Sequence, residues 1–121
     1  MTYEEFLEQI IETGIEGVNK EYEGTSSKQD DKRDGSIAGF EACRNKKPAE
    51  LISEYAKAMK LQQEAFILRV DNYWWFRCYS AQVEWVLNVV SAGTRTSLLS
   101  HLPTAKGTVA AAKILGVESK L

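Results

Sequence analysis

Three groups of residues in this chain are of types that could do chemistry. The first holds Asp30, Asp34, Gly35, Ile37 and Glu41, which fall at positions one, five, six, eight and twelve of an EF-hand calcium loop. Such a loop needs hard oxygen ligands, a glycine at its sharp turn and a bidentate glutamate at its end. Two departures count against it. Lys32 puts an ammonium where the third ligand oxygen belongs, and the preceding GTSSKQ lacks the apolar spacing of an entering helix. The expectation is a solvated charge run followed by a capped helix, with no calcium and no other cofactor.

The second group is Ser97, Ser100 and His101, a nucleophile and a base by type. No nucleophile elbow surrounds them, and His101 is the single histidine of the chain, so a structural histidine is expected. One histidine and two distant cysteines, Cys43 and Cys78, also lack the clustered nitrogen and sulfur ligands that zinc requires. TAKGT at Thr104 places lysine before glycine, the reverse of a phosphate-binding P-loop. Nothing here makes a catalytic constellation.

The third group consists of polar residues on otherwise apolar helical faces: Gln62, Arg69 and Gln82. Two antiparallel helices turning at Asp71 and Asn72 would bring Gln62 level with Gln82. Buried amides need partners, and a mutual hydrogen bond that fixes helix register is the simpler outcome. The alternative is a small-molecule or enzyme site, with Gln62, Arg69 and Gln82 as its polar contacts and Phe66, Trp75 and Tyr79 as its walls. A helix-turn-helix reading of Ser36–Asn45, Lys46–Lys47 and the helix from Pro48 is weaker. The turn lacks its glycine, Lys47 takes an apolar position, and the second helix is too long for a usual recognition helix.

These residues must be positioned by helices, because hydrophobic residues recur at three and four and no period-two pattern occurs. Asp71–Gly93 holds all three tryptophans. On a wheel at 100° per residue, Arg77, Ser80, Glu84, Asn88 and Ser91 form one polar stripe and the apolar arc spans about 240°. That arc predicts a central helix over 72–92. Thr2–Tyr22 predicts a helix with a Thr2/Glu5 capping box and an apolar face of Tyr3, Phe6, Leu7, Ile10, Ile11, Val18 and Tyr22. Gly14 and Gly17 mark either local softness or close approach of another helix backbone. Residues 23–35, EGTSSKQDDKRDG, predict a polar mobile loop. A short helix over Ser36–Asn45 and a long one over Pro48–Val70 follow, the latter with Ile52, Tyr55, Met59, Phe66 and Val70 inward. Continued unbroken, that stripe would arrive on the polar stripe of the next helix. The half-turn flip predicts an αα-hairpin near residue 71, capped by Asp71 or Asn72. A short turn within Thr94–Pro103 and a last helix over Thr104–Leu115 complete the pattern.

Bulk properties restrict the classes of function. With 121 residues the chain fits one all-α domain, 1–121, an irregular bundle of about five helices around 72–92. The formal net charge of −2 gives no electrostatic footprint for nucleic acid. Arg77, Gln82, Glu84 and Asn88 interrupt the most apolar helix, so no membrane span is expected. The acidic N-terminus lacks a secretory signal, and two cysteines fit reduced thiols in a cytoplasmic protein. The two flanks of the central helix point more than about 120° apart, and Leu61 and Leu68 sit near the outward side of 48–70. That surplus of apolar surface predicts a binding or interaction protein that forms a homo-oligomer, a homodimer in the simplest case.

Overall fold

The computed structural model describes residues 2–94, with side chains described through Ser91. Among these residues every regular element is helical. In order they are α1 (Tyr3–Glu21), a 3₁₀ turn (Ser27–Gln29), α2 (Asp30–Ala42), α3 (Pro48–Leu68) and α4 (Tyr73–Thr94). The expected short turn within Thr94–Pro103, the helix over Thr104–Leu115 and the Ser97/Ser100/His101 group lie outside the described residues, apart from Thr94 itself.

α1 starts where the sequence places it. Thr2 Oγ1 accepts the Glu5 N–H at 3.1 Å and donates to the Glu5 carboxylate at 3.1 Å, so one hydroxyl meets two needs of the first turn. Leu7, Ile10, Ile11 and Val18 are buried. α3 begins at Pro48, whose missing N–H is not needed there, and the Glu50 carboxylate accepts the Lys47 N–H at 2.9 Å.

α2 corrects the sequence reading. The polar stretch 23–35 was expected as a mobile loop, yet α2 starts at Asp30, six residues before the expected Ser36. Asp30 and Asp31 occupy the first turn, where carboxylates suit the positive end of the helix dipole. Arg33 reaches Asp30 at 3.5 Å and Asp34 at 3.1 Å, so the charge run is satisfied along the helix itself. Helix over Asp30–Glu41 also removes the calcium-loop geometry. Eleven residues of rise set the two terminal carboxylates about 16 Å apart, too far to share one ion.

Glycines let α2 lie against α4. A Cβ at Gly35 would stand 2.3 Å from the Trp75 carbonyl oxygen, and one at Gly39 would stand 2.7 Å from the Tyr79 carbonyl oxygen. Two glycines four apart thus form a flat strip on which the backbone of α4 rests. Close approach was expected at Gly14 and Gly17 instead. At Gly14 the close neighbour is a side chain, the ring of Phe40, 2.2 Å from where a Cβ would sit; at Gly17 nothing lies within 4 Å. Phe40 fills the space over Gly14 of α1 and meets Trp85 of α4 edge-on at 5.6 Å, so one ring ties three helices together.

The chain turns as expected between α3 and α4. Arg69 closes α3 in the left-handed region at φ 52°. Its N–H reaches the Phe66 carbonyl at 3.3 Å and the Val70 N–H reaches the Ala65 carbonyl at 3.2 Å, the paired bonds of a Schellman ending. The Asn72 carbonyl then accepts the N–H groups of Trp75 and Phe76, which sets the start of α4. α4 touches each of the other three helices, running parallel to α2 and antiparallel to α1 and α3. Six consecutive residues, Val86–Ser91, are at most 2% exposed. Five steps of 100° exceed a full circle, so this six-residue stretch of α4 is buried all round.

Candidate interaction surface

α3 turns the expected Ile52 and Tyr55 toward the core in its first turns, but presents a different face toward its end. Its buried residues are Leu51, Ala58 and Ala65, spaced by seven, so small side chains meet α4. Ile52, Tyr55 and Met59 are only half-buried, and Phe66 is 65% exposed. The Ala58/Ala65 contact rotates the bulkier residues of the last two turns outward. Ile67 is 73% exposed and Leu68 72%, and Trp74 at the start of α4 is 51% exposed. Leu61, which with Leu68 was expected near the outward side, continues the strip toward the middle of α3.

These side chains are adjacent. The rings of Phe66 and Tyr73 lie 5.9 Å apart, and those of Tyr73 and Trp74 lie 5.4 Å apart at 72°. Lys32 of α2 holds its ammonium 4.8 Å over the Trp74 ring, a cation–π contact that joins α2 to the patch. Between the aromatic edge and the end of α3 lies an open depression of about 480 Å³, lined by Ala65, Phe66, Ile67, Arg69 and Tyr73. Around it Glu64, Arg69 and Asp71 are exposed and form no ion pair among the described residues.

The six residues expected to line a ligand pocket do not converge on one. Gln62 accepts a hydrogen bond from the Ser80 hydroxyl, not from Gln82. Ser80 and Gln82 are two residues apart on α4, about 200° around the helix. Ser80 therefore faces α3, while the Gln82 Cβ packs against α2 at Gly39. Arg69 is spent as the left-handed helix end and is exposed. Phe66 is on the outer patch. Trp75 and Tyr79 do meet, stacked at 5.2 Å and 12°, as residues one turn apart should. The Tyr79 hydroxyl donates to Glu54 of α3, and burial, with that neighbouring carboxylate, pushes the phenol pKa well up.

Other grooves offer less. An open trough of about 610 Å³ between α1 and α2 is lined by Glu12, Glu16, Glu41 and Arg44 among others, but Arg44 is already engaged by Glu8 and Glu41. Among the described residues no group of three His, Cys, Asp or Glu is placed to hold a metal ion, and no helix is long and apolar enough to cross a membrane. Cys43 and Cys78 are both free thiols; burial pushes Cys43 up to about 12 and raises Cys78. Asn88 Oδ1 and Ser91 Oγ are buried without a hydrogen-bond partner among the described residues.

The sequence pointed to exposed leucines on α3 and to Trp74 on a flank with surplus apolar surface, but missed Phe66 and Ile67 as outward residues. Their signal was present as an apolar triplet, Phe66-Ile67-Leu68, which no single helical face can bury. The class that this arrangement defines is a small helical bundle of mixed parallel and antiparallel neighbours with an apolar outer end. No family model, curated protein or solved structure matches this chain.

Proposed function

We propose that this chain is a small helical interaction protein that self-associates through apolar surface left over when the bundle closes. The observation that carries this reading is the contiguous exposed set of Phe66, Ile67, Leu68 and Trp74. Single exposed leucines are ordinary in soluble proteins, whereas a joined patch of large apolar side chains marks a contact site. The surplus was expected on the flanks of α4. Val83 and Leu87 on one flank are fully buried, so the surplus falls to the end of α3 and to Trp74.

The rest of the reading rests on chemistry. The six expected ligand residues are divided among three surfaces, which favours binding over a small-molecule site or an enzyme. A net charge of −2 does not favour nucleic acid. Two free thiols suit a reducing cytoplasm. In this reading α4 is the helix about which the bundle is organised. Native mass spectrometry and sedimentation velocity at micromolar concentration test the proposal. A homodimer of the 13.6 kDa chain is the expected species. A monomer at every concentration, binding no partner, would remove it.

A further inference from the structure

Resting on the self-association reading, we infer that the partner at this surface is a second copy of the chain. It docks by the same face, the last two turns of α3 with Tyr73 and Trp74, about a two-fold axis. The first argument is area. Side chains of this size at the exposures of Phe66, Ile67, Leu68 and Trp74 leave on the order of 500 Å² per chain. Two copies then remove roughly 1,000 Å², the lower bound of a specific interface, and the rim adds to it. A contact of that size falls among the weak, transient interfaces rather than the obligate ones.

The second argument is charge. A two-fold interface places a surface against itself, so that surface must be self-complementary. The rim carries both signs: Arg69 stands between Glu64 and Asp71, all three exposed and without ion pairs within the described residues. Across a two-fold axis the Arg69 guanidinium of one copy meets the Glu64 and Asp71 carboxylates of the other. An anionic lipid surface would call instead for a cationic excess around the apolar tip, which Glu64 and Asp71 set against Arg69 and the Trp74-bound Lys32 do not supply. Shape agrees with charge. Ala65, Phe66, Ile67, Arg69 and Tyr73 line an open depression, and the next residue, Leu68, is 72% exposed, so each copy offers both a recess and an apolar side chain to enter it.

The test uses the full chain. Ile67→Glu and Leu68→Glu replace exposed side chains, so helicity by circular dichroism should be retained while dimer affinity falls by at least about tenfold. Arg69→Glu and Asp71→Arg should each weaken the dimer, and the double variant should recover affinity toward the wild type. That recovery requires the two positions to meet across copies. A dimer that survives Ile67→Glu and Leu68→Glu unchanged overturns this assignment while leaving self-association standing. A chain that stays monomeric overturns both. Sedimentation of the wild type with phosphatidylserine-containing vesicles, lost in Ile67→Glu, would assign the patch to a lipid surface and overturn the second copy.

Discussion

At the scale of the residue, three glycines and one arginine show how local preference yields to packing. Gly35 and Gly39 each weaken a helix by about 1 kcal/mol relative to alanine, yet a Cβ at either would strike the backbone of α4. Backbone cannot rotate aside as a side chain can. Gly35→Ala is therefore expected to lower stability by about 2–3 kcal/mol despite the better helix propensity. Gly17→Ala, with nothing within 4 Å, should raise it by about 0.5–1 kcal/mol. Urea unfolding followed by circular dichroism compares the two, and equal effects would contradict the packing argument. Arg69 makes the opposite case. Its left-handed backbone suits glycine, so Arg69→Gly should stabilise the monomer by up to about 1 kcal/mol in the same assay.

At the scale of the element, α3 and α4 are held by a polar contact as well as an apolar one. Ser80 is buried, and its hydroxyl is satisfied by Gln62 and by the Arg77 carbonyl, 3.1 Å away. Tyr79 crosses the same junction to Glu54. Removing one partner of a buried hydrogen bond to a charged group costs about 1.5–3 kcal/mol. Tyr79→Phe should therefore lower stability by about that amount while the fold is kept, as the Trp75 stack and α2 packing persist. Unfolding midpoints with near-ultraviolet circular dichroism check both parts; a neutral Tyr79→Phe would mean that Glu54 is adequately solvated without it. Asn88 differs, because its buried Oδ1 accepts no hydrogen bond from the described residues. Along α4 the wheel marks Asn88 and Ser91 as polar, and tertiary burial sets them inside.

At the scale of the whole molecule, titration reports on how tightly the four helices close. Cys43, buried between them, has its ordinary pKa of 9.0 pushed up to about 12, chiefly by burial. Tyr3, whose hydroxyl donates to the Lys46 carbonyl at 2.7 Å, is pushed from 10.0 to about 12, again chiefly by burial. A pKa raised in the folded state means that the unfolded chain releases its proton first. The stability that these groups contribute is thus complete below pH 9 and is lost as pH rises from 9 toward 12. Chemical unfolding across that range should show the decline. In Cys43→Ala the decline should shrink but still begin near pH 9, because burial also raises Cys78; with Cys78→Ala added, the onset should move up toward the phenol range. A decline that begins at neutral pH would mean that other groups control it.

The sequence by itself determined what depends on neighbours along the chain. The Thr2 cap, Pro48 at the start of α3, the all-helical class and the turn between Val70 and Tyr73 all follow from local hydrogen bonding and from the phase of apolar residues. It could also place Leu61 and Leu68 outward, because a wheel orders positions around one helix. Only the tertiary structure decided which helix meets which face. Asp30–Gly35 reads as loop by composition, and it is helix because Gly35 and Gly39 gain the backbone of α4, a contact invisible from either segment alone. Gln62 meets Ser80 rather than Gln82 because the later turns of α3 bury Ala58 and Ala65, not Phe66. That same rotation brings Phe66 from an expected pocket wall to the outer surface. The physical reason is common to all three. Periodicity fixes angles within a helix, whereas the contact between helices is set by which side chains are small enough to permit close approach.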